Sequence, residues 1–138
     1  MLNGWAQDPI SFRRCSGYVE QFDVQTPQLT IKETILFSAK LRLDYKTIEG
    51  GELGVEGFVH NIMEDVELDD IATALIGSDE TGGLSFEQKK RLSIAVELAA
   101  SPSVIFLDEV SESSVCGFAR AFFFSPYDFL FSRQCMLR

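Results

Sequence analysis

The stretch Gly83 to Glu109, GLSFEQKKRLSIAVELAASPSVIFLDE, constrains this chain more than any other. Ser85 is a helix-capping residue and Gln88 stands in the box position three residues later, so a helix is predicted to start there. Ala99, Ala100, Ser101 and Pro102 end it, and Val104 to Leu107 is a short apolar strand of the buried type. The strand runs directly into two carboxylates, Asp108 and Glu109. A helix start favours an anion, because its first amides and its dipole both point at it. A strand end carrying paired acids offers a site for Mg²⁺ and for an attacking water. Lys89, Lys90 and Arg91 extend the basic character along the first turns of the helix. Each half has an ordinary reading when taken alone. An apolar strand that ends in an acid is common, and so is a capped amphipathic helix with solvated lysines.

The chain of 138 residues is one domain or part of one, and it is long enough to bury a core. Its net charge of −9 argues against nucleic acid as a partner, since phosphates reward clustered Lys and Arg. Between Asp44 and Glu80 there are eleven acidic residues against one basic residue, Lys46, and this reads as a solvated helical face. Cys15, Cys116 and Cys135 have no metal-ligand spacing, and His60 is the single histidine, so no zinc constellation can be built. This cysteine usage suits a reducing compartment. The opening MLNGWAQDPISFRR has no signal-peptide core, and no run approaches the roughly 18–20 apolar residues of a membrane helix. The nearest, Phe118 to Phe131, is interrupted by Arg120, Ser125, Pro126 and Asp128. The chain alone is therefore expected to be cytoplasmic and without a membrane span.

Residues 1–29 read as short strands and turns, with Gly17-Tyr18-Val19-Glu20 as one strand and a loop through Pro27. Thr30 to Leu43 reads as a helix opened by a Thr30/Glu33 capping box, with Ile31, Ile35, Leu36, Ala39 and Leu43 apolar. After a break at Glu49-Gly50-Gly51-Glu52, Val55, Phe58, Val59, Ile62, Met63 and Val66 mark one face of a second helix. Asp69-Asp70 read as the cap and first turn of a third short helix that ends at Gly77, followed by a loop from Ser78 to Leu84. Six of the twelve phenylalanines fall after Glu109, where no helical or strand period is visible.

The string GYVEQFDVQTPQLTIKETILFSAKLRL, then LSFEQKKR, then VIFLDE, closely resembles the ATPase of ABC transporters, and within them the pleiotropic-drug-resistance (ABC G-type) subfamily. FRRCSGYVEQFD and SFEQKKRLSIAVELA are similar to the second nucleotide-binding domain of a full-size transporter. The resemblance implies an α/β fold: a partial P-loop NTPase core with a helical subdomain over about residues 30–100. It makes VIFLDE a Walker B strand, with Asp108 on Mg²⁺ through water and Glu109 as general base. Gln21 becomes the Q-loop glutamine, which senses Mg²⁺ and couples the site to the membrane domain. Ser85 and Gln88, in the signature motif, would contact ATP held by the opposing domain. His60 precedes the signature and is not the family's switch histidine.

The resemblance covers about residues 2–109, and residues 110–138 are a divergent tail. Where the usual signature has two glycines, Phe86 and Glu87 stand here. A bulky and an acidic residue at the phosphate position are expected to weaken γ-phosphate contact by lost backbone approach and repulsion. This degeneracy is typical of the second domain and implies that one paired ATP site is poorly catalytic. No G-x-x-x-x-G-K-[ST] occurs in the sequence, Val110-Ser111-Glu112-Ser113 replaces a proline-led D-loop, and no downstream histidine follows. The chain therefore reads as a truncated, frameshifted or mis-spliced piece of a drug-efflux ATPase, inactive alone, whose intact domain uses ATP and Mg²⁺. Its partners would be the opposing nucleotide-binding domain and the transmembrane domain, on the cytoplasmic side of a membrane. The alternatives are a non-catalytic module that docks on an intact nucleotide-binding domain, or a non-functional product.

Overall fold

The computed structural model describes residues 8–20, 25–43, 51, 54–78 and 82–108. The expectations for Gln21, for Glu109 and for the tail after it fall outside the described residues, as does most of the Gly-rich break. Four helices and four short strands are described: α1 (Pro9–Cys15), β1 (Ser16–Val19), α2 (Ile31–Arg42), α3 (Gly54–Asp65), β2 (Gly77–Ser78), β3 (Gly82–Gly83), α4 (Phe86–Leu98) and β4 (Val104–Leu107). The class is α/β, as expected.

Helix α1 corrects the reading of residues 1–29 as strands and turns. Asp8 caps it by accepting from the Ser11 amide at 3.0 Å, and Pro9 occupies the first helical position, where no amide hydrogen is needed. That Asp-Pro start was legible in the sequence. Helix α2 keeps its expected limits. Thr30 and Glu33 form the reciprocal capping box, with the Glu33 carboxylate accepting from the Thr30 amide at 2.9 Å. Helix α3 buries Val55, Val59, Ile62 and Met63 on one stripe and leaves Glu56, His60 and Glu64 exposed, so its acidic face is the solvated one.

The third short helix does not form. Asp69–Ile71 makes a single 3₁₀ turn, and Leu68, in the N-cap position before it, supplies no side-chain cap. The chain then extends and pairs with the segment before α2: the Ile31 amide donates to the Ala74 carbonyl at 3.2 Å, and the Ile76 amide to the Leu29 carbonyl at 3.0 Å. Burying Ile76 between these partners satisfies its backbone without a helix. Part of the expected loop after it is a β2–β3 hairpin that pairs Gly77 with Gly83 and Ser78 with Gly82.

Two hydrophobic clusters result. The larger unites α2, α3 and α4 through Ile31, Ile35, Val55, Val59, Leu92, Ala95 and their neighbours. Each fully buried Ile or Leu in it contributes roughly 1.5–3 kcal/mol. The smaller places Ile94 of α4 against Val19 of β1 and Ile105 of β4. Helix α4 thus belongs to both. It passes close over β1 at Gly17, where an added Cβ would lie 3.1 Å from Glu97 Oε2.

Glycine is required in the hairpin. Gly77 has φ +67, and a Cβ there would stand 2.0 Å from the Gly82 carbonyl oxygen; at Gly83 it would stand 2.2 Å from that of Ile76. Gly77→Ala or Gly83→Ala is expected to lower the stability of the chain by roughly 1–3 kcal/mol in urea denaturation followed by circular dichroism. Gly57→Ala, on α3 with open space around it, is expected to raise it by roughly 0.4–1 kcal/mol. Acid tests the α2 cap. The Thr30 amide, and then its hydroxyl, hold the Glu33 carboxyl below its ordinary value of 4.5. The unfolded chain therefore binds the proton first, so this cap's contribution is present above about pH 4.5 and lost as pH falls through the lowered folded value. Glu33→Gln should flatten that part of the stability–pH curve.

Candidate functional site

β1 and β4 run parallel, in the register Ser16↔Val104 to Val19↔Leu107. The Asp108 amide donates to the Val19 carbonyl at 3.1 Å, which carries the ladder one residue past the strand. Both chains therefore leave the sheet at its carboxyl edge side by side, one towards Gln21 and the other towards Glu109. The carboxyl edge of parallel strands is where open α/β sheets bind ligands. Alternation assigns the faces. Gly17, Val19, Ile105 and Leu107 turn to α4, whereas Tyr18 and Phe106 turn away, and Phe106 meets Phe12 of α1 edge-on at 6.1 Å between ring centroids. Asp108 falls on the second face. There the Tyr18 hydroxyl donates to Asp108 Oδ2 at 2.8 Å, fixing one carboxylate oxygen and leaving acceptor capacity on the other.

At the start of α4 the expected capping box forms. The Ser85 hydroxyl accepts from the Gln88 amide at 3.2 Å, and Gln88 Oε1 accepts from the Ser85 amide at 2.9 Å. Gln88 is thereby committed to the cap, while the Ser85 hydroxyl keeps its own proton to donate. The structure does not bring Ser85 and Asp108 together: no hydrogen bond joins them among the described residues. Ser85 precedes Lys90, whose ammonium reaches the β1 exit, by five residues, which is about 7.5 Å along the helix axis.

The basic run at the start of this helix is not uniformly solvated. Lys90 is 2% exposed, and its Nζ donates to the Glu20 carbonyl at the exit of β1. Its position was legible, because Lys90, Ile94 and Leu98 fall at i, i+4 and i+8 on the stripe facing the sheet. Arg91 is divided between Glu67 and Glu87, each at 2.8 Å. Glu87 is therefore ion-paired at the helix start rather than bare. Phe86 remains 73% exposed in place of the small residue that a close phosphate approach needs.

Among the described residues no group of three or more His, Cys, Asp or Glu could hold a metal ion. One aspartate at a strand end fits Mg²⁺ that arrives with its phosphates, because that ion keeps several waters and takes only one or two carboxylates.

The family model for the ABC transporter matches residues 3–112. The chain belongs to the ABC transporter family, and its α/β unit is part of the ATP-binding domain. Among its relatives, ABC transporter G family member 38 of Oryza sativa subsp. japonica is 47% identical over 108 residues, covering 78% of this chain. ABC transporter G family member 31 of Arabidopsis thaliana is also 47% identical over 108 residues. The chain spans 7% of the length of each. A solved structure described as an ATP binding subunit of an ABC transporter matches 82% of this chain and 44% of its own, with TM-score 0.60 and 16% identity, a likeness of fold.

The capping role of Ser85 is open to mutation. Ser85→Ala is expected to cost about 1 kcal/mol in urea denaturation through loss of the cap, and Ser85→Asp to stay within about 0.5 kcal/mol of the parent.

Proposed function

We propose that this chain is the Q-loop-to-Walker-B part of a nucleotide-binding domain in a G-type, pleiotropic-drug-resistance transporter. In the whole protein, ATP binding and hydrolysis would be coupled to transport across the membrane. The observation that supports this best is the parallel pairing of β1 with β4, which sets Asp108 beside the exit that leads to Gln21. Asp108 and Gln21 would hold Mg²⁺, largely through water, and Glu109 would take the proton of the attacking water. When bound, Mg²⁺ neutralises charge on the β- and γ-phosphate oxygens. Ser85, at the start of α4, would donate its hydroxyl proton to ATP held by the opposing domain, with Gln88 keeping that serine in place through the cap. Phe86 and Glu87 in the signature favour the second nucleotide-binding domain. The domain would sit on the cytoplasmic side, against the transmembrane domain; among the described residues no helix is long and apolar enough to cross a membrane.

The phosphate cradle is the part that this sequence does not contain, so the chain by itself is expected to release no phosphate from ATP. A chimera tests the reading. Residues 2–109 would replace the matching segment of ABC transporter G family member 38, and Mg²⁺-dependent phosphate release would be measured in the purified protein. Activity is expected to survive and to fall on the order of 100-fold or more with Glu109→Gln. Activity indifferent to Glu109→Gln and to Asp108→Asn would overturn the assignment.

A further inference from the structure

Residues 21–24 are bracketed by two hydrogen bonds that end on the same helix. Before them, the Glu20 carbonyl accepts from Lys90 Nζ. After them, Gln25 Nε2 donates to Ser93 Oγ at 3.0 Å. Lys90 and Ser93 lie three residues apart on α4, so they are neighbours on one face of it. The lysine is unusual in kind as well as in place. At 2% exposure it carries an ammonium where Leu or Met would fill the same slot with no charge to desolvate. A charge kept in such a position acts through direction: an N⁺–H donor fixes one carbonyl, whereas an apolar side chain fixes none. The carbonyl it fixes belongs to Glu20, the residue immediately before Gln21.

We infer that Lys90 and Ser93 are positioning residues, forming a clasp that ties both ends of the segment containing Gln21 to the helix that begins at Ser85. A shift of α4 then moves the exit of β1 and the approach to α2 together. The clasp would thus keep the β1 exit in step with the signature. This meaning rests on the nucleotide reading above, but the clasp does not.

Hydrogen–deuterium exchange on the full chain, without nucleotide, tests it. Lys90→Met is expected to speed exchange of the amides around residues 19–26 about tenfold, and Ser93→Ala about threefold. Peptides from α2 and α3 should stay within about twofold of the parent, a limit set well below the clasp effect. Ser93→Thr, which keeps a hydroxyl, should restore the parent rate. Unchanged exchange at 19–26 would overturn the inference. So would acceleration spread evenly over α2 and α3, since that marks general packing. If Lys90→Met does not fold, the Ser93 pair decides the matter. A chimera that fails to hydrolyse ATP while the exchange pattern holds would sink the nucleotide reading and leave the clasp standing.

Discussion

Two strands far apart in sequence pair in parallel, and that pairing depends on the helices that cover its faces. The Tyr18–Asp108 hydrogen bond, which crosses the β1/β4 pair, spans 90 residues of chain. Closing such a loop costs entropy, and a two-stranded sheet recovers little of it alone. The recovery comes from burial: Ile94 of α4 covers Val19 and Ile105 on one face, and Phe12 of α1 meets Phe106 on the other. Parallel strands need both faces covered. Here the second face is covered in part, and Tyr18 is still 53% exposed on it.

Helix α4 is the element through which the two clusters communicate. One stripe packs with α2 and α3, and another packs on the sheet. Its polar contacts follow the same division. The Ser38 hydroxyl donates to the Val96 carbonyl at 3.0 Å, and Arg42 grips Glu97 with both guanidinium nitrogens at 2.9 and 3.0 Å. Glu97 in turn lies over Gly17, where the strand has no side chain to hold it off. A partly exposed, bidentate pair of this kind adds geometric definition more than stability. The result is a helix whose middle and end, from Lys90 to Glu97, are registered against β1.

Charge at the start of α4 is redistributed by the fold. Read along the chain, Glu87 next to Phe86 looks hostile to phosphate, and Lys89-Lys90-Arg91 looks like a cationic patch. In three dimensions Arg91 neutralises Glu87 one turn along the helix and also holds Glu67 after α3, while Lys90 turns inward. The serine cap and an exposed phenylalanine stand at the helix start.

The elements that local chemistry dictates were legible in the sequence. The Thr30/Glu33 and Ser85/Gln88 boxes, the apolar period of α3 and the strand Val104–Leu107 depend on neighbours within a turn or a pleat, and they formed where expected. The Asp8-Pro9 start of α1 obeys the same local rules and was equally legible, although it read as strand and turn. Asp69-Asp70 misled for the opposite reason. Its helix signal was local, but the segment up to Ile76 satisfies its backbone against residues 29–32, a partner invisible along the chain. Likewise the inward stripe of α4 placed Lys90 in the core, but only the folded chain put the Glu20 carbonyl within its reach. Sequence by itself determined the caps, the periods and the order of motifs, because those depend on short-range sterics and hydrogen bonding. Tertiary structure decided the long-range partners, Arg91 with Glu67, Arg42 with Glu97 and Lys90 with the Glu20 carbonyl, because those depend on distances that the chain closes only when its helices and strands pack.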